Sequence, residues 1–212
     1  MTRETYIEQI RRFIYGGQPD DDAEITIGLV NLWLDQAIGV AAKANWKDSI
    51  TLDGIAYINN SFYTTFKGLE IEEDEQFLWK VTLPHLPYGI GTSEGISTMV
   101  LRDYESRQLT YPVIWMSQNQ RSYNRGMRTI PNKLIAYSES EFVFIQSPLI
   151  LNDYTAQVTM VSGGNSTDLQ STLNVPGDYL PVISEYLKTQ FMFERSVPKD
   201  LTPDGQDFIK TT

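Results

Sequence analysis

The hydrophobic period of this chain changes twice, and that pattern limits its fold more than any motif does. Apolar residues recur at three-and-four spacing near both ends, whereas the middle reads as short runs rich in β-branched and aromatic residues. The first spacing sets one face of a helix against a core, and alternation does the same for a strand. A chain of 212 residues in this order is expected to be α+β, a small helical bundle with an antiparallel β region inserted between its helices.

Ile7, Ile10 and Ile14 form one stripe, with Tyr6 and Phe13 beside it, and predict a short first helix. Thr2 or Thr5 caps its start, Thr5 with Glu8 fits a capping box, and Gly16-Gly17 with Pro19 ends it. Asp20-Asp21-Asp22 then reads as the N-cap of a second helix over 23–44. Negative charge is favoured at a helix N-terminus, which outweighs a divalent-metal reading of the triplet. Leu29, Leu32, Trp33 and Gln36 mark one stripe of that helix, and Ile27, Val30, Leu34, Ile38 and Ala41 a second. So wide an apolar surface exceeds what one short chain is expected to cover, so sister copies are expected to finish the burial. The small residues Ala37, Gly39, Ala41 and Ala42 predict a closely approaching neighbour, from this chain or another subunit.

Seven strands are expected over 54–58, 61–66, 77–83, 111–115, 133–137, 141–145 and 156–160, forming a sandwich or barrel. The fifth and sixth are expected to form a hairpin through Ser138-Glu139-Ser140. Gly163-Gly164 reads as a flexible exit, and a third helix follows over 179–195. Asp178 is its expected N-cap, Pro181 lies in its first turn, and Tyr179, Ile183, Tyr186 and Leu187 form its apolar face, continued by Phe191. The chain thus divides into a helix pair (1–49), a β region (50–162), a C-terminal helix (163–195) and an extended tail (196–212). Phe208 and Ile209 are the tail's only anchors.

Chemistry is poorly provided for. There is no Cys and a single His, which removes thiolate nucleophiles, zinc-finger sites and His-rich metal sites. His85, between Pro84 and Pro87, shows no spaced carboxylate or nucleophile and reads as structural. Glu70, Glu72, Glu73, Asp74 and Glu75 read as a solvated loop, not as the opposed carboxylates of a glycosidase. Gly89, Gly91 and Gly95 miss the phosphate-loop spacing and read as a turn. No catalytic residue, metal site or cofactor is therefore expected. A formal charge of −10 argues against sequence-independent nucleic-acid binding over the whole surface. The one basic concentration, Arg121, Arg125 and Arg128, is interleaved with polar residues and Tyr123 and is expected to contact an acidic partner. No apolar run has the roughly 20 residues a bilayer span needs, and residues 1–6 lack the apolar core of a signal peptide. A soluble protein assembled in the cytoplasm is the expectation.

Segments 25–45, 62–68 and 158–164 resemble structural proteins of crAss-like phages that infect gut Bacteroidetes. The helical layout is similar to the head–tail connector (adaptor) family of tailed phages. The stretch from Val175-Pro176-Gly177-Asp178 to Phe193-Glu194-Arg195 is similar to that family's last helix. The resemblance implies a virion structural protein forming a homo-oligomeric, twelvefold ring next to the portal and other tail or ring proteins, with DNA passing through the lumen unbound. The large β region departs from small connectors. An alternative reading from another class is a tail-associated host-surface or carbohydrate-binding module with Trp79, Trp115 or Tyr123 as an aromatic platform.

Overall fold

The computed structural model describes residues 1–17, 25–90, 95–103, 110–116, 134–147, 150–164 and 166–196. Helix α1 (Arg3–Tyr15) is capped by Thr2, whose hydroxyl accepts the Thr5 N–H at 3.2 Å. Gly16, at φ 68°, ends it in the left-handed conformation that glycine tolerates. Helix α2 (Ile27–Asp53) starts from a Thr26 cap, not from the aspartate triplet, which lies outside the described residues.

This second helix also runs well past residue 44 and past the segment boundary expected at 49. Polar residues extend its buried stripe, which is why apolar spacing alone lost it. The Asn45 side chain donates to the Tyr179 hydroxyl at 3.1 Å and accepts the Asn59 N–H at 2.8 Å. Ser49 Oγ, with one proton to share, lies 2.8 Å from the Trp46 carbonyl and 2.9 Å from that of Tyr57, and accepts the Tyr57 N–H. Gly54 closes the helix at φ 70°, so the strand expected over 54–58 does not form.

A 3₁₀ turn, Asn60–Phe62, leads into eight strands: β1 (Tyr63–Leu69), β2 (Ile71–Glu75), β3 (Leu78–Thr82), β4 (Ile96–Asp103), β5 (Thr110–Trp115), β6 (Leu134–Glu139), β7 (Phe142–Gln146) and β8 (Tyr154–Val161). Their order is β1-β8-β4-β5-β6-β7-β3-β2. All described pairs are antiparallel except β5 with β6, which run parallel. The β6–β7 hairpin forms as expected, turning at Ser140, which sits at φ 56°. Strand β4 was missed behind the Gly89–Gly95 turn reading. The acidic run is not a loop: Ile71–Glu75 is an edge strand, paired on one side with β3.

The two edge strands are joined through Glu70 alone. Phe66 and Leu69 from one edge and Ile71 from the other pack against a single cluster that includes Trp79, Val81, Leu101, Val143, Ile145, Ala156 and Val158. One interior fed by every strand means that the sheet curls into a barrel-like body.

Helix α3 (Leu180–Ser196) follows a 3₁₀ turn, Gly177–Tyr179, that takes in Asp178, so the expected N-cap lies inside the turn and not next to the helix's first residue. It runs antiparallel to α2, since Tyr179 reaches Asn45 while Phe191 meets Trp33 edge-on at 5.3 Å. The second core joins Ile7, Ile10, Val30, Leu34, Ile38, Ile183 and Leu187, and takes in Phe62, Ile90 and Val161 from the β body.

The small residues of α2 find their neighbours inside the chain. Ala37, Ala41 and Ala42 are fully buried. A Cβ on Gly39 would stand 2.4 Å from the Tyr88 ring. Sister copies are therefore not needed along the helix, and the expected excess shrinks to its exposed residues Leu32, Val40, Ile50 and Leu52. Gly163-Gly164 is likewise a tight joint and not a flexible exit. A Cβ at Gly163 would lie 2.0 Å from Ile38, and one at Gly164 would lie 2.5 Å from the Thr172 carbonyl.

Candidate interaction surface

Among the described residues, large apolar side chains are exposed near both ends of the bundle. At one end α1 stops at Gly16 and α3 stops near Ser196. Phe13, Leu32, Met192 and Phe193 are there 55% to 75% exposed. Beside them Lys188 Nζ sits 4.4 Å from the Phe13 ring centroid, and the Arg195 guanidinium lies 5.6 Å from that of Tyr15. Cations over ring faces hold these aromatics in place without covering them.

At the other end, the last turn of α2 and the loop after it expose Ile50, Leu52, Ile55 and Tyr57, from 40% to 81%. The Tyr57 hydroxyl donates to Asp53 at 2.9 Å, and that bond with the adjacent carboxylate charge raises its pKa. The Tyr179 hydroxyl donates to Asp48 at 2.8 Å; burial is the chief cause of its raised pKa. Both phenols stay neutral and act as donors on the rim of this end.

By helix rise, Leu32 and Leu52 stand about 30 Å apart along α2. These are two separate surfaces.

None of the sequence-predicted contact residues adds to them. Arg121, Arg125, Arg128, Phe208 and Ile209 lie outside the described residues, as does Tyr123. Trp79 is 3% exposed inside the barrel, and Trp115 packs against the same core, so neither forms an exposed platform. His85 Nδ1 is 2.9 Å from the Leu86 carbonyl, and its ring lies between Phe66 and Tyr88. On β2, Glu72 pairs with Lys80 at 3.7 Å. Among the described residues no group of three or more His, Asp or Glu could hold a metal ion. No described helix is long and apolar enough to cross a membrane.

The end residues carried a signal that the sequence reading passed over. Met192 and Phe193 follow Phe191 off the stripe of Ile183, Leu187 and Phe191, and Leu52 and Ile55 follow the helix's last buried position, Ser49. The chain matches no protein-family model and no curated protein.

Proposed function

We propose that this protein is a non-enzymatic structural component of a tailed-phage virion. It is a ring-forming head–tail connector or collar protein that stands beside the portal around the DNA channel. The observation that carries the reading is the pair of apolar ends on a bundle whose interior is already filled by its own chain. A subunit with two separated sticky surfaces meets unlike faces of its neighbours and closes a ring when the rotation allows it. Two N-terminal helices packed with a C-terminal helix support the likeness to connectors, from which the inserted β body departs.

In this reading the ring is twelvefold, and a charge of −10 per subunit gives the lumen a field that repels phosphate, so DNA slides through without being held. Arg121, Arg125 and Arg128 face an acidic ring or portal neighbour, and the tail with Phe208 and Ile209 docks on an adjacent protein. Mass spectrometry of purified virions, with imaging of particles labelled through this protein, tests the assignment. The expected result is a fixed copy number at the neck. Absence from intact particles overturns it.

A further inference from the structure

We infer that the open edge of β2 takes an added strand from a partner protein, and that the partner's segment is extended and rich in lysine or arginine. The inference does not rest on the connector reading, because it is drawn from one edge of the β body alone.

The edge is open along its length. Ile71–Glu75 pairs with β3 on one side and stands last in the order of strands. Among the described residues, no backbone hydrogen bond is made on its other side. Residues 72–75 are exposed. Alternate residues of a strand turn their N–H and C=O groups outward, so an unpaired edge is a row of donors and acceptors ready for another chain. An extended peptide fills that row with main-chain hydrogen bonds, and side chains then decide which peptide is accepted.

Charge makes the choice here. Glu70, Glu72, Glu73, Asp74 and Glu75 crowd carboxylates along the strand and its entry. Among the described ion pairs, Glu72 alone of these meets a cation, Lys80 Nζ at 3.7 Å. Glu72 stands opposite Lys80 and Glu73 opposite Trp79, so neighbouring carboxylates lie on opposite faces of the sheet. A strand added beside β2 therefore meets negative charge on both of its faces. Opposite charges on adjacent strands stabilise the pairing, whereas like charges directly opposite each other destabilise it. The carboxylates that keep β2 from pairing with its counterpart in another copy thus admit a cationic strand, which is selection by repulsion as well as attraction. The register shift between Glu73 and Glu75 bends the edge locally, which suits a short added strand of about five residues.

The full chain is tested by fluorescence anisotropy against a labelled peptide of alternating lysine and valine. A glutamate–valine peptide and a lysine–valine peptide methylated on every backbone nitrogen serve as controls. The double variant Glu73→Lys with Glu75→Lys, at two exposed positions, is checked for native circular dichroism and titrated with the same peptides. The wild type is expected to bind the lysine–valine peptide, more weakly as salt rises, and not the glutamate–valine peptide. Backbone methylation is expected to weaken binding at least roughly tenfold, because the main-chain donors are gone. The double variant is expected to lose roughly tenfold in affinity for the lysine peptide and to gain affinity for the glutamate peptide. Hydrogen exchange over 71–75 of the wild type is expected to slow when the lysine peptide is bound.

A wild type that binds no lysine–valine peptide overturns the inference. Equal binding of the methylated peptide does so too, since it means attraction between charges with no strand added. A double variant that binds like the wild type places the peptide elsewhere and has the same consequence. If that variant misfolds, unchanged exchange over 71–75 in the wild type is the overturning result. Absence of the protein from virions removes the connector reading and leaves this edge as it is.

Discussion

Tyr88 fixes the helical bundle to the β body through one hydroxyl and one ring face. Its hydroxyl donates to the Asp35 carbonyl at 2.7 Å, and its ring fills the space that Gly39 leaves. Burial raises the phenol's pKa, and the nearby Asp35 charge adds to the effect while Arg3 opposes it. A tyrosine whose folded pKa exceeds its unfolded value near 10 contributes stability that is complete below pH ~10. That contribution is lost as pH rises toward the folded pKa. Tyr88→Phe is therefore expected to cost about 1 kcal/mol at pH 8, and the gap from wild type should narrow above pH 10. Urea titrations at several pH values would show this, and a gap that widens instead contradicts it.

Arg3 is the other fixing point. It is fully buried, with Nη2 2.6 Å from Asp35 Oδ1 and 2.7 Å from Asn31 Oδ1, and with Nη1 3.2 Å from the Gly163 carbonyl. Removing one partner of a buried pair costs about 3–5 kcal/mol. Asp35 remains partly open to water, so Arg3→Met belongs near the lower figure. Lysine lacks the planar fork that serves three partners at once, and Arg3→Lys should recover less than half of the loss in the same titration. Arg3 was legible in principle, four residues before Ile7 on the stripe of Ile7, Ile10 and Ile14. Tyr88 was not, because what makes it matter is a glycine distant in sequence.

At the scale of elements, the acidic strand β2 shows what a charge run can do besides being solvated. It is an edge, and Glu73 stands opposite Trp79 of β3, on the side that faces the core. Charges at such positions guard an edge against pairing with another sheet. Replacing Glu73 and Glu75 with Val should leave the melting temperature nearly unchanged while light scattering on heating rises at lower protein concentration. No change in scattering would remove the guarding role.

The turn that follows holds Phe77 at φ 66°, a conformation that costs a non-glycine residue of this kind roughly 1–2 kcal/mol. Phe77→Gly is expected to raise stability by about 1 kcal/mol, read as a higher urea midpoint. These features escaped the sequence because composition argued for a loop at 70–75, whereas the strand is set by its partner. The same cause hid the end of α2. Asn45 and Ser49 are polar by type yet buried by their bonds to Tyr179, Asn59 and Tyr57, and no local pattern reports a bond to a distant residue. The hairpin of β6 and β7 and both caps of α1 depend only on neighbours in the chain, and those were readable.

At the scale of the whole molecule, the helices and the barrel-like body are expected to unfold as one unit. Phe62, Ile90 and Val161 leave the β body to enter the bundle's core. Gly163 passes so close to Ile38 that it admits no side chain. In addition, Arg3 at the start of the chain reaches the Gly163 carbonyl at its far side. Opening either body exposes apolar surface of the other, so neither gains by separating. Hydrogen exchange followed by mass spectrometry should give α2 and β8 the same opening free energy. Gly163→Ala should lower both together, by about 2–3 kcal/mol if Ile38 is forced off its rotamer, as overpacking a tight core costs about 1–3 kcal/mol. Protection lost in the helices while β8 keeps its own would show two independent bodies. In that case, loads applied to the bundle's ends would not reach the barrel. A ring built through those ends requires the opposite: a subunit stiff enough that contact at one end fixes the direction of the next.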